Sequence, residues 1–87
     1  MNSLRSMFGL TVNQNRYLLI VGGWDLKDKR YIRTIESYDI RTDKWTTFRW
    51  KIKSDWVKPL LYIYDGFCYV IGGSNHDHIE LIDLSQN

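Results

Sequence analysis

Eighty-seven residues hold one small domain at most, which excludes any reading that needs two independent cores. Apolar residues make up 44% and aromatic ones 15%, too rich in rings for a disordered chain that never buries them. Twelve basic against ten acidic residues leave a formal charge of +2, too near balance to select nucleic acid or an anionic membrane as partner.

The first ten residues carry one cation, Arg5, and no apolar core of secretory length, and Asn2 does not fit a myristoylation start. The first predicted strand covers 8–12, and Asn13-Gln14-Asn15-Arg16 turns it back into a second strand over 17–22. That second strand contains the apolar run Tyr17 to Val21, as long as any in the chain and far short of the roughly 20 residues that cross a bilayer. Strands over 33–40 and 44–50 follow, joined by the polar turn Arg41-Thr42-Asp43-Lys44. Three more are predicted over 57–64, 67–72 and 78–84. Asp65-Gly66 joins the first two of these, and Asp-Gly between apolar runs favours a hairpin because both turn residues need positive φ. The chain has no alanine but nine Ile, four Val and five Thr, and no window holds a helical apolar period. Short connections between β-rich runs predict an all-β antiparallel meander.

The chain also repeats itself. Arg16-Tyr-Leu-Leu-Ile-Val-Gly-Gly23 matches Gly66-Phe-Cys-Tyr-Val-Ile-Gly-Gly73 fifty residues later, and Ile35-Glu-Ser-Tyr-Asp-Ile40 matches Ile79-Glu-Leu-Ile-Asp-Leu84 forty-four residues later. The difference falls in the polar loop after the glycine pair, so one structural unit is repeated with a length change confined to a loop.

An apolar strand ending in Gly22-Gly23, followed by Tyr38 and Trp45 with six residues between them, resembles a kelch repeat. The resemblance covers 8–50 as one nearly complete unit and 57–84 as most of a second, in which Gly72 and Gly73 form the pair and Ile82 stands at the Tyr position. It implies β-propeller blades: one nearly complete four-stranded antiparallel sheet, most of another, and an incomplete propeller. The expected source is a fragment, a truncated reading frame or a subunit that pairs with other blades. Abundant Ile without Ala also suggests an AT-rich genome, and fragmentary kelch genes occur in large DNA viruses such as poxviruses, so a truncated poxvirus-type kelch protein is an expected source. The resemblance gives the glycines to close backbone approach and the Tyr38 and Trp45 rings to packing between blades, so Trp45 is expected to behave as a core residue.

Other chemistries fit less well. Ile20-Val-Gly-Gly23 imitates the start of a trypsin-like protease, but Leu19 stands where a basic residue belongs and no Gly-Asp-Ser-Gly follows. His76-Asp77-His78 places two imidazoles at strand spacing without an evident third ligand, so a solvated loop is expected and no metal. Cys68, the single cysteine, lies in an alternating apolar run and is expected to be a buried thiol in a reducing compartment, not a nucleophile. The glycine pairs form no phosphate cradle, so no nucleotide cofactor is expected. The segment from Arg49 to Lys58 interleaves cations and rings as single-strand nucleic-acid surfaces do. A strand with Phe48, Trp50 and Ile52 inside and Arg49, Lys51 and Lys53 outside is the expected reading of the same pattern, and no nucleic-acid or membrane partner is expected.

The resemblance implies a noncatalytic, cytoplasmic protein-interaction module of the kind kelch-like proteins use for substrate recognition, with no cofactor. The alternative is a piece of a galactose-oxidase-like enzyme built on kelch-type blades. Partner contacts are expected from the variable loops, at Trp24, Lys27, Lys29, Arg30 and Tyr31 and at His76 and His78, with unpaired blade faces available for self-association.

Overall fold

The computed structural model describes residues 4–72 and 79–85 and is all-β, with ten strands and no helix among the described residues. In chain order they are β1 (Arg5–Ser6), β2 (Gly9–Asn13), β3 (Tyr17–Val21), β4 (Trp24–Asp25) and β5 (Arg30–Tyr31). Then come β6 (Thr34–Asp39), β7 (Lys44–Lys51), β8 (Leu60–Tyr64), β9 (Phe67–Ile71) and β10 (Ile79–Asp83). Every pairing is antiparallel. β2-β3-β6-β7 form a four-stranded sheet, β8-β9-β10 a three-stranded one, and β1-β4-β5 a small sheet at one end.

The seven long strands lie where the apolar runs predict them, within one to three residues. The largest shift is the start of β8, at Leu60 instead of residue 57. Pro59 has no N–H for a ladder and Lys58 has φ 51°, so pairing begins only after both. The three two-residue strands β1, β4 and β5 fall in segments that read as loops, because two residues are too few to show alternation.

Alternation decides which side chains meet. Thr11, Leu19, Val21 and Ile35 share one face of the four-stranded sheet through the pairs Thr11–Leu19 and Val21–Ile35. Leu61, Ile63, Cys68, Val70 and Ile82 share one face of the three-stranded sheet. These two faces meet. Leu19, Val21, Ile35, Cys68, Val70 and Ile82 join Ile52 and Trp56 in a single buried cluster, with Phe48, Trp50 and Leu61 packed against it. Gly9 lets β2 and β8 approach: a side chain there would begin 2.9 Å from the Pro59 ring and 3.0 Å from Leu61.

Trp56 is the keystone of this core, fully buried in the connection between the sheets. Its indole N–H donates to Glu80 Oε1 at 3.0 Å, and its carbonyl accepts from the Gly23 N–H at 3.2 Å. The basic, Trp-rich stretch is thus an edge strand followed by a buried crossing. Ile52 and Trp56 point inward while Arg49, Lys51 and Lys53 stay wet, so Trp56 offers no ring for a base to stack on.

At the opposite end of the four-stranded sheet, the Arg16 guanidinium grips Asp39 with two parallel bonds of 3.0 and 2.8 Å. The Arg16 carbonyl accepts from the Ile40 N–H at 3.0 Å, and Asp39 Oδ1 also accepts from the Arg41 N–H. Two turns distant in sequence are thereby fastened together. The Arg16 hydrogen bonds are the main reason the Asp39 carboxyl lies well below the usual carboxylate range.

Trp56→Ala should cost about 3–5 kcal/mol through the cavity it leaves. The checks are a urea melt and the rate of Cys68 alkylation, which should rise as the sheets separate. Asp39 carries a lowered pKa in the fold, so its stabilisation is present above an unfolded value of about 3.9 and is lost as pH falls toward the native one. The drop in urea midpoint between about pH 7 and about pH 3 should therefore be smaller for Asp39→Asn than for the parent.

Candidate functional site

The glycine pair after β3 is a junction where four segments meet. Gly22 has φ +69° and Gly23 φ +105°, a region that L side chains rarely adopt. A Cβ on Gly23 would stand 2.7 Å from the Ser6 carbonyl oxygen and 3.0 Å from Phe8 Cβ, and one on Gly22 would stand 3.2 Å from the Trp56 carbonyl. The backbone groups freed there are used. Gly23 accepts from the Ile32 N–H at 2.9 Å, and the Gly22 carbonyl accepts from Arg5 Nη1 at 2.9 Å. Gly72 repeats the left-handed conformation with φ +67°; Gly73 lies outside the described residues.

Arg5 enters this junction as a buried cation. Its guanidinium reaches the Thr34 carbonyl at 3.0 Å, Thr34 Oγ1 at 2.6 Å and Glu36 Oε2 at 3.1 Å, and the two charged side chains are 1% and 2% exposed. Burial pulls the Arg5 pKa below its ordinary value, and the Glu36 carboxylate works against that shift.

Beyond the glycines the chain forms a hairpin. β4 and β5 pair Trp24 with Tyr31 and Asp25 with Arg30, and β1 closes the other side of β4. Asp25 Oδ1 caps the tip by accepting from the Lys27 and Asp28 N–H groups at 2.8 and 3.0 Å, an Asx turn. These bonds hold the Asp25 pKa below its usual value. Lys29 takes the positive φ that closes the turn.

This hairpin brings together five of the side chains singled out from the sequence. Trp24 and Tyr31 meet edge to face, with ring centroids 5.0 Å apart and planes at 78°. Trp24 is half-buried and Tyr31 is 45% exposed. Lys27, Lys29 and Arg30 are exposed around them, Arg30 in a loose 3.7 Å pair with Asp28. His76 and His78 lie outside the described residues.

Tyr38 and Trp45 are direct partners across β6 and β7, their rings 4.9 Å apart, and the Tyr38 hydroxyl donates to Asp43. They sit on the face turned away from the second sheet, with Trp45 37% exposed. The expectation of a core tryptophan is therefore corrected: the rings pack on each other, on a face that has no second sheet over it. Truncating Trp45 removes a cross-strand ring pair, worth about 0.5–1.5 kcal/mol beyond its area, and opens no interior cavity.

Cys68 is fully buried, and burial pushes its thiol up to about 11, the reverse of what a thiolate nucleophile requires. No three His, Cys, Asp or Glu side chains among the described residues are grouped to hold a metal. A cleft of about 750 Å³ between the turn ends of the two sheets is walled by Tyr17, Ser37, Thr46, Phe48 and Leu84, and the carboxylate there, Asp39, is committed to Arg16.

Sequence reasoning did not anticipate the Arg5–Glu36 pair. The signal for its acidic half was the repeat itself, since Ile35-Glu36 and Ile79-Glu80 place a carboxylate at the same position twice. Its basic half lies in a segment too short to show any pattern.

The geometry defines two successive antiparallel blades, each with a left-handed glycine after its second strand. The family model described as the Kelch motif matches residues 5–49, which takes in all of the four-stranded sheet but the last two residues of β7. The chain belongs to the kelch-repeat family. It is 34% identical over 73 residues to Kelch-like protein 40 of Xenopus tropicalis, and equally to Kelch-like protein 40 of Xenopus laevis. Those alignments take in 84% of this chain and 11% of each relative, so the chain corresponds to about a ninth of their length.

Gly23→Ala should be the most damaging change among the described glycines, because the Ser6 and Phe8 backbone blocks relief of a Cβ already strained by its φ. Gly66→Ala has φ +80° but nothing within 4 Å, so it should cost only the conformational penalty of about 1–2 kcal/mol. Thermal melts of the two variants side by side check the ranking.

Proposed function

We propose that this chain is a noncatalytic protein-interaction module, of the substrate-recognition kind, that acts in the cytoplasm. The observation that carries the reading is the β4–β5 hairpin: two apposed rings displayed among three cations, held by its own pairing and by β1. The strands bury their side chains against one another, so recognition falls to the connections at the blade ends. Relatives named as kelch-like proteins support a binding role. Burial of Cys68, which raises its thiol, supports a packing role for that residue.

A ring pair rimmed by Lys27, Lys29 and Arg30 suits an acidic partner segment with an apolar anchor. Edge-to-face packing fixes both rings, so little side-chain freedom is lost on binding. Replacing Trp24 and Tyr31 together with Ser should abolish capture of a protein partner while the urea midpoint stays close to that of the parent. Lys27→Glu with Lys29→Glu should weaken it, most strongly at low salt. Retention of the partner by the Ser variant would move the binding surface off this hairpin.

A further inference from the structure

The interface between the two sheets has two sides, and the chain displays a second copy of each on its outer faces. In register, Leu10, Val12, Leu18, Ile20 and Tyr38 of the four-stranded sheet occupy the positions that Leu61, Ile63, Cys68, Val70 and Ile82 occupy in the other. The latter five face the first sheet; the former five face away from the second. All ten are apolar or aromatic. Leu10 is 55% and Val12 51% exposed.

The other half of the interface is duplicated in the same way. Thr11, Leu19, Val21, Ile35 and Ser37 look toward the second sheet, and their counterparts Tyr62, Tyr69, Ile71, Ile79 and Leu81 look away from the first. Here too every counterpart is apolar or aromatic, including those of Thr11 and Ser37. Tyr62 is 59%, Ile79 59% and Leu81 49% exposed, a contiguous patch of the kind soluble chains cover.

The entry segments match as well. Met7 and Lys58 stand at equivalent positions before their blades, both with left-handed φ, and the Lys58 N–H donates to the Met7 carbonyl at 2.8 Å. Arg5 then corresponds to Trp56, and each bonds the glutamate of its own blade's third strand, Glu36 or Glu80. The outer face of the first blade is thus bordered by Arg5, placed as Trp56 is placed in the formed interface.

We propose that copies of this chain associate head to tail, the outer face of β8-β9-β10 in one copy packing on the outer face of β2-β3-β6-β7 in the next. The contact repeats the one already made inside each copy. An unrelated occupant would give no reason for both free faces to reproduce the two sides of a formed interface. The contact is heterologous, so each copy offers one face of each kind to its neighbours. Leu60 stands where Gly9 does in the intramolecular contact, so the first strands of successive copies stand farther apart than β2 and β8. The larger rings of Tyr62 and Tyr69, at the positions of Thr11 and Leu19, fill that width.

The test separates head-to-tail association from nonspecific adhesion and is independent of the hairpin. Two variants are made on exposed positions, Leu10→Lys with Val12→Lys on one face and Tyr62→Lys with Leu81→Lys on the other. Protection of Cys68 from alkylation shows that each remains folded. Light scattering and native mass spectrometry should find the parent as an oligomer, each variant alone as a monomer, and their mixture as a one-to-one dimer that grows no further. Only a head-to-tail contact leaves one intact interface in the mixture. A monomeric parent overturns the proposal, and so does either variant that still self-associates, since that contact pairs like faces.

Discussion

Glu36 and Glu80 hold the chain that enters each blade, and the alignment of the two sheets follows from what they hold. Glu80 accepts from the Trp56 indole and from the Lys53 N–H at 2.6 Å, which draws the connecting segment into the cleft and makes Trp56 the centre of the core. Glu36 fixes Arg5, and Arg5 in turn caps the carbonyls of Gly22 and Thr34 where the ladder between β3 and β6 ends. A buried ion pair adds little net stability, because removing two charges from water offsets most of their attraction. Its effect is on register. With one partner removed, the other charge stays buried and uncompensated, so only the alignment that joins them is tolerated.

The glycine junction shows why such a pair is needed there. Two successive left-handed residues turn the chain out of the sheet and leave backbone groups pointing at neighbouring segments instead of at a ladder. Every one of those groups has to be satisfied by something brought in from elsewhere in the sequence. Ile32, Arg5 and the Trp56 carbonyl do this, and each comes from a different stretch of chain. The close approach this demands is possible only without side chains at 22 and 23. The glycine pair is therefore a condition for joining blade to connector, and this role gives the motif its regular place in the repeat.

That part of the fold was legible because it depends on spacing. Alternation over five or more residues, the Asp65-Gly66 turn and the paired glycines are local patterns, and the offset between two copies of them located both blades. What escaped were contacts with no period. β4 and β5 have two residues each, too few to alternate, and their pairing is fixed by an Asx turn that could equally have sat in an open loop. Arg5 gives no sign in sequence of its partner thirty-one residues away. Trp45 was legible as part of a motif, but the side it faces depends on which neighbour covers that side, and this is a property of the assembly. Pro59 shortens β8 through a missing N–H and a left-handed residue before it, whereas the apolar pattern runs straight through.

The same division separates the regions open to change from those that are not. β2, β3, β8 and β9 have one face in the shared core and another that is also largely apolar, so few positions on those strands remain for a polar recognition surface. The connections are under no such demand. Residues 26–29 project from a hairpin held by its own ladder, by β1 along β4, by the Leu26 N–H donating to the Leu4 carbonyl at 3.0 Å, and by the carboxylate that caps its tip. Side chains at that tip can therefore be exchanged without disturbing Trp56 or the glycine junction. Trp24 and Tyr31 stand at the boundary, close enough to the junction to be positioned by it and far enough from the core to be seen by another molecule.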